Sequence, residues 1–246
     1  MTTQPTLTHW FSDGAEPRRA NPKIPTPRLV LCLGGDGLAL RAWTRRGYTR
    51  LDRDGGEGDP LRALPVVEAR RDRIAFACAL PRCTDLASSG ARWWKRKRAA
   101  NPNFQIEAIQ TLRDTERVLR ASGAPYVMLT PASALIKKLW KSPKAVVSPH
   151  QFGGYLPEHA AHPVHPDVIP TQDRYHKSTY VFSGNGFVLP RRKPRPPVWV
   201  LKKNRKTGKV VRISPVLAKR KHRNARRYSP LGFMEAIAQL HAKDLR

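Results

Sequence analysis

The stretch ALPRCTDLASSGARWW, residues Ala79–Trp94, decides how the rest of the chain is interpreted. It begins at the end of an apolar run, Ile74 to Leu80, which predicts a buried strand, and it turns at Pro81. Cys83 lies on this turn, directly before a Thr-Asp pair of the kind that caps helix N-termini. We therefore expect Cys83 at the carboxyl end of a strand and close to the start of a helix.

The surroundings of Cys83 predict a reactive thiol. A helix N-terminus and nearby cations lower the pKa of a thiol toward a usable thiolate, and Arg82 and the cluster of Arg92, Lys95 and Arg96 supply cations. The carboxyl edge of the strands is also where ligands bind in open α/β sheets. The alternative is a small buried cysteine on a structural loop, and the spacing alone leaves both interpretations open.

A second strand–turn–helix unit lies earlier in the chain. The run from Arg28 to Leu33 predicts a strand, and the turn Gly34, Gly35, Asp36 and Gly37 separates it from an apolar helical pattern. Glycines let the backbone approach a ligand, and the start of a helix favours polar or anionic groups. This unit is typical of the opening of a nucleotide-binding fold.

Two acidic residues follow the next predicted strand, Tyr48 to Leu51. Asp52 or Asp54 is positioned to hold ribose hydroxyls, as acids commonly are in such folds. The same Asp-Gly-Gly sequence is also strong turn chemistry, so a purely structural turn remains the alternative.

The charge of the chain indicates a nucleic-acid partner. Its 246 residues include 46 Lys and Arg against 18 Asp and Glu, a formal net charge of +28, together with six Trp and six Tyr. The charge is uneven, because no acidic residue occurs between Arg174 and Met234. The positions that we expect to contact nucleic acid from their charge are Arg92, Arg191, Arg192, Lys193, Lys203 and Arg205.

Other classes of protein are not supported. No run is apolar enough to span a membrane, and we expect no secretory leader. Three cysteines without a CxxC pair are typical of reduced thiols in a cytoplasmic protein. The spacing His159-x2-His162-x2-His165 lies in a proline-rich segment without cysteine, which favours a loop of neutral histidines over a metal site.

The opening stretch resembles the catalytic loop of the phage-type DNA (cytosine-5) methyltransferases. That loop normally reads Pro-Pro-Cys, and Arg82 replaces its second proline here. The similarity extends from about Leu29 to Leu240 and includes the segments QFGGYLP, from Gln151, and SGNGFVLP, from Ser183. If the chain is phage-encoded, its compartment is the cytoplasm of a bacterial host.

The resemblance implies a role for each part of the chain. Cys83 is the nucleophile that adds to a flipped cytosine of double-stranded DNA, and S-adenosylmethionine is the methyl donor. The residues implied to bind this cofactor are Gly34, Gly35, Asp36, Gly37, Asp52 and Pro81. The residues implied to touch the DNA backbone beside the flipped base are Lys177 and Thr179.

The chain departs from the family at positions that matter for chemistry. Leu129 and Thr130 stand where the family has Glu-Asn, and a leucine cannot protonate the cytosine ring. Leu33 stands where the family often has an aromatic residue. Asp85 and Glu107 are conceivable substitutes for the missing acid, although nothing in the sequence favours either.

The predicted fold is α/β, a Rossmann-like S-adenosylmethionine-dependent methyltransferase fold. Its parts are an arm at 1–27, a catalytic domain at 28–149, a small basic DNA-facing lobe at 150–227, and a helix within 228–246 that returns to the catalytic domain. Three functions compete. They are a DNA cytosine-C5 methyltransferase, a catalytically impaired DNA-binding protein of the same fold, and a basic nucleic-acid packaging protein.

Overall fold

A computed structural model describes residues 28–35, 37–53, 58–203, 208–218, 225 and 228–242 of the chain. The predicted arm at 1–27 lies outside the described residues, as do Asp36, Asp54 and Arg205. The backbone of Asp52 is described, and its side chain is not.

A six-stranded, mostly parallel sheet flanked by helices makes this a mixed α/β fold compatible with a Rossmann-like arrangement. Its strands are β1 (Leu29–Leu33), β2 (Thr49–Arg53), β3 (Ile74–Ala79), β4 (Tyr126–Pro131), β5 (Ala145–Val147) and β6 (Thr179–Gly184). They are ordered β2-β1-β3-β4-β6-β5, and β6 runs antiparallel between β4 and β5. The α-helices are α1 (Arg41–Thr44), α2 (Leu64–Glu68), α3 (Trp94–Ala100), α4 (Phe104–Ala121), α5 (Ala134–Leu139), α6 (Pro215–Ala218) and α7 (Leu231–His241).

The central strands are buried on both faces, as their continuous apolar sequences predict. Because side chains alternate along a strand, β4 sends Met128 to one face and Leu129 to the other. The first face packs against α2, α4 and α5, and we call its apolar core the thiol-side cluster because it contains Cys83. The second face packs against α1 and α7 and forms the opposite cluster.

Helix α4 runs from Phe104 to Ala121 and has one apolar side. It turns Ile109, Leu112 and Leu119 toward the thiol-side cluster, which is the apolar stripe seen in the sequence. Gly123 follows it with a φ of 68°, a backbone conformation that glycine adopts at little cost.

The last helix packs back onto the first strand–helix unit. The ring of Phe233 on α7 lies 4.6 Å from that of Phe152 within the opposite cluster. Glu235 accepts hydrogen bonds of 2.6 Å from Arg45 and from Arg46, which follow α1. Burial would raise the pKa of Glu235, but the Arg46 hydrogen bond and charge outweigh it and lower that pKa.

The segment predicted as a basic lobe, 150–227, does not form one separate unit. Strand β6 lies inside the main sheet, where it pairs with both β4 and β5. A second, two-stranded sheet consists of β7 (Val200–Lys203) and β8 (Val210–Ile213), which pair antiparallel. We call β7 and β8 the basic ribbon, and apart from Ile213 its residues are exposed.

Candidate functional site

The sheet brings together the glycine-bearing turn after β1 and the turn that carries Cys83. From β1 the chain crosses to β2 on one side and then to β3 on the other, so the strand order reverses between β1 and β3. Ligands of open α/β sheets bind outside the carboxyl ends of strands at such a reversal. The Leu80 amide donates to the Leu33 carbonyl at 3.0 Å, which places the turn after β1 beside the turn that carries Cys83.

The turn after β1 needs its glycines. Gly34, Gly35 and Gly37 have φ values of 70°, 109° and 69°, which side chains other than glycine rarely adopt. A Cβ at Gly35 would lie 3.2 Å from Leu80 Cδ1, and one at Gly37 would lie 3.2 Å from a guanidinium nitrogen of Arg50. The glycines therefore permit both the backbone conformation of this turn and its close packing against Leu80 and Arg50.

The turn that begins at Cys83 is not the start of a helix. The carbonyl of Cys83 accepts from the amides of Leu86 and Ala87, at 3.1 and 2.9 Å, which closes a single turn. The next helical segment, a 3₁₀ helix over Ser88–Trp93, has Ala87 at its N-cap. The predicted capping by Thr84 and Asp85 is wrong, because the Asp85 carboxylate pairs with Lys97 on α3 instead.

The thiol of Cys83 is neutral in this arrangement. Cys83 is 6 % exposed within the thiol-side cluster, and its Sγ donates to the Pro81 carbonyl at 3.2 Å. Burial raises its pKa to about 12, and the charge of Lys177 opposes that shift only in part. The expectation of a lowered pKa is therefore wrong, because Arg82 and Arg92 are exposed to solvent while the thiol is not.

Two serines that were not predicted from the sequence form hydrogen bonds to the segments around Cys83 and Lys177. Ser133 Oγ donates to the Leu86 carbonyl at 2.6 Å, so α5 braces the turn after Cys83. Ser148 Oγ accepts from the Lys177 amide at 3.0 Å, at the end of β5. The signal for Ser148 was readable, because Ser-Pro-His-Gln is a capping box and both Ser148 and Gln151 act as one.

Lys177 also faces a buried carboxyl. Asp173 is 2 % exposed and accepts from the Gly232 amide at 2.9 Å, at the start of α7. Burial raises its pKa to about 6, while the Gly232 and Leu231 amides and the charge of Lys177 oppose the shift. Asp173 and Gln172 have φ values of 51° and 56°, unusual for residues other than glycine. Half-buried Lys177 therefore acts electrostatically on both Cys83 and Asp173.

Two residues implied by the resemblance are placed differently from expectation. Thr179 is 4 % exposed, and its hydroxyl donates to the Lys177 carbonyl, so it braces the entry to β6 instead of facing solvent. Leu129 is 5 % exposed in the opposite cluster, on the other face of the sheet from Cys83. Leu129 therefore packs in the core and does not face a base pocket shared with the thiol.

Two exposed surfaces carry the predicted basic residues. On the first, the guanidinium groups of Arg92 and Arg96 lie 5.0 and 5.3 Å from the ring centre of exposed Trp93. On the second, Lys193 Nζ lies 4.3 Å from the ring centre of Tyr155. Three further predicted contacts, Arg191, Arg192 and Lys203, are also exposed.

Within the described ranges, no group of three or more His, Cys, Asp or Glu side chains is arranged to hold a metal ion. No helix in the same part of the chain is long and apolar enough to cross a membrane. Comparisons with protein-family models, with curated proteins and with solved structures give no match.

Proposed function

We propose that this protein is a DNA cytosine-C5 methyltransferase of the phage type, with Cys83 as its nucleophile. The observation that carries the proposal is the meeting of two turns at the β1/β3 reversal. One carries Gly34, Gly35 and Gly37, and the other carries Cys83. Methyl donor and thiol would have to share one cleft in this reaction, and the adjacency of these two turns is what supports the proposal.

The chain's own groups have defined tasks in that reaction. The Cys83 thiolate would add to C6 of the cytosine, and C5 would then take the methyl group from the sulfonium of S-adenosylmethionine, which leaves as S-adenosylhomocysteine. Transfer of the C5 proton to solvent water would let the C5–C6 double bond form again as the Cys83 thiolate leaves C6. Gly34, Gly35 and Gly37 would hold S-adenosylmethionine, which would supply an electrophilic methyl group. The exposed cations hold the DNA strand while the target base is turned out of the helix.

The reaction requires Cys83 to change its surroundings. With a pKa of about 12, on the order of one thiol in 10⁵ is ionised at neutral pH. Exposure of the turn that begins at Cys83 would remove the burial that raises this pKa, and Lys177 already favours the thiolate. Opening of this turn when DNA binds is therefore part of the proposal.

The second candidate is a DNA-binding protein of the same fold that transfers no methyl group. Two observations favour it. The thiol is buried and neutral, and Leu129, at the position of the family's acid, lies in the core on the opposite face of the sheet. Loss of a positioned acid–base group costs roughly 10²–10⁴ in rate.

A labelling experiment separates the two candidates. Duplex DNA is incubated with methyl-labelled S-adenosylmethionine and the protein, and the bases are then separated. We expect label in 5-methylcytosine with the natural chain and none with Cys83→Ala, while both bind DNA equally. Cys78→Ala, at another buried cysteine, is the matched control and should retain transfer. If the natural chain binds DNA and the cofactor but transfers no label, the second candidate replaces the first.

A further inference from the structure

Three ring side chains form a ladder that runs to the surface. The rings of His150 and His176 lie 6.0 Å apart with their planes at 30°. The rings of His176 and Trp199 lie 5.8 Å apart with their planes at 25°. Trp199 is 39 % exposed, and His176 is the only ring that the described residues place against it. The ladder therefore ends in a flat indole that is open to solvent.

The position of Trp199 is imposed by the residues beneath it. The Arg195 amide donates to the His150 carbonyl at 2.8 Å, and the Val198 amide donates to the Arg174 carbonyl at 2.7 Å. Arg174 Nε also donates to the Pro196 carbonyl at 3.0 Å. These bonds hold the segment 195–199 along the loop that carries both histidines, so the indole is prearranged before any ligand arrives.

The charge around the ladder matches a polyanion. Exposed cations both precede Trp199 and follow it within a few residues, and no acidic residue occurs in this part of the chain. They are Arg191, Arg192, Lys193, Arg195, Lys202 and Lys203. A phosphate backbone that followed these cations would pass directly by the indole.

We propose that Trp199, supported by His176 and His150, is a stacking platform for an unpaired base of a DNA strand. Proteins that bind single strands combine a cationic track with aromatic faces on which bases stack, and every base offers such a face. A base inside a duplex has both faces covered by its neighbours, so this platform favours single-stranded or locally opened DNA. The inference rests on the nucleic-acid partner of the proposed function, but it does not depend on methyl transfer.

Two single-stranded probes of equal charge, with a duplex beside them, test the platform. The dissociation constants of three DNA probes of about 12 nucleotides, within the usual range of site sizes, are measured by fluorescence anisotropy at low salt. One is oligothymidine, one is an abasic strand with the same number of phosphates, and one is a duplex. We expect the natural chain to bind oligothymidine roughly 5- to 100-fold more tightly than the abasic strand, the range of one stacked base.

Variants then assign that preference to one ring. Trp199→Ala should lose the preference for bases and keep its affinity for the abasic strand, because the cations remain. Trp199→Phe, which retains an aromatic face, should keep most of the preference. Ile106→Ala is the matched control, since Ile106 is also a large exposed apolar side chain but lies on α4, away from the ladder and from the predicted basic contacts. It should bind all three probes as the natural chain does.

Each contrary outcome has its own meaning. Equal affinity of the natural chain for oligothymidine and for the abasic strand would overturn the platform and leave the proposed DNA binding intact. Retention of the preference by Trp199→Ala would also overturn it. Failure of all three probes to bind would refute the nucleic-acid partner itself. Tighter binding of the matching RNA strand by tenfold or more would overturn DNA as the occupant.

Discussion

The turn around Cys83 and the basic ribbon use similar residue types in opposite ways. At the turn, apolar side chains such as Leu86 are fully buried, and backbone groups find partners within the fold. In the ribbon, Leu201 is 68 % exposed and Val210 is 63 % exposed, among lysines that also face solvent. A two-stranded ribbon gains little stability from its own burial. The turn is therefore stabilised by burial and by hydrogen bonds inside the fold, whereas the ribbon exposes apolar and basic side chains that a partner can contact.

The largest expected effect is the salt dependence of DNA binding and the part that Arg191, Arg192 and Lys193 take in it. A protein that neutralises six to ten phosphates loses roughly 10³- to 10⁵-fold in DNA affinity between about 50 and 200 mM salt. We expect this chain to do so in a binding titration across that range, with similar results for unrelated DNA sequences. Charge reversal at Arg191, Arg192 and Lys193 should reduce the slope of log affinity against log salt by about 0.9 for each phosphate that is no longer neutralised.

The control for this experiment carries the same change in net charge elsewhere. Arg62, Arg70 and Arg117 are exposed as well, but they do not belong to the acid-free segment. Their reversal to glutamate should change the slope less than reversal at 191–193. Equal slopes for both triple variants would show that DNA does not bind preferentially at residues 191–193.

The next effect compares a leucine-to-glutamate substitution in the buried core with the same substitution in the basic ribbon. Leu129→Glu puts a carboxyl into the opposite cluster and removes a buried leucine, so the free energy of unfolding should fall by about 3–5 kcal/mol. Leu201→Glu changes an exposed side chain and should alter that free energy by about 0.5 kcal/mol or less. Urea unfolding of both variants measures the difference.

Leu129→Glu also tests the placement of the family's acid. If this variant keeps the stability of the natural chain and gains methyl transfer, then Leu129 faces the base and not the core. The buried position in the opposite cluster predicts the reverse, a loss of stability without a gain in transfer.

The smallest effect is the pH dependence that Asp173 adds to stability. Its pKa is raised from 3.8 to about 6, so the folded chain holds a proton between these values that the unfolded chain has released. The contribution of Asp173 to stability is therefore most favourable below about pH 4 and falls as the pH rises through 6. The change amounts to about 3 kcal/mol at most.

A paired measurement isolates that contribution. The free energy of unfolding is measured for the natural chain and for Asp173→Asn near pH 4 and near pH 7. We expect the natural chain to lose stability relative to Asp173→Asn across this interval, because asparagine does not titrate. A constant difference between the two would show that Asp173 does not change its ionisation on folding.

Local patterns predicted most elements of the sheet. The apolar runs predicted from Arg28 to Leu33 and from Ile74 to Leu80 became β1 and β3, each within one residue of its predicted ends. The place of β6 between β4 and β5 was not predictable in this way, because its register joins Val181 to both Leu129 and Ala145. Such pairing depends on distant segments, which periodicity does not report.

The site shows the same division. The glycine-rich turn after β1 was predicted from the sequence, and each of its described glycines has the positive φ that only glycine adopts easily. The ionisation of Cys83 was predicted with the wrong sign, because neighbours in sequence are cations while neighbours in space are apolar. The role of Asp173 had no local signal, since its partner Gly232 lies 59 positions away.

The sequence by itself determined the net charge of +28, the acid-free span from Arg174 to Met234 and the continuous apolar runs that are buried as the central strands. These properties follow from side-chain chemistry and from neighbours a few residues away. Tertiary structure decided that Cys83 is neutral, that Leu129 belongs to the core and that Trp199 stacks on His176. Burial and ring contacts depend on which distant segments meet, as with Arg45 and Glu235, 190 positions apart, and the folded chain alone brings those segments together.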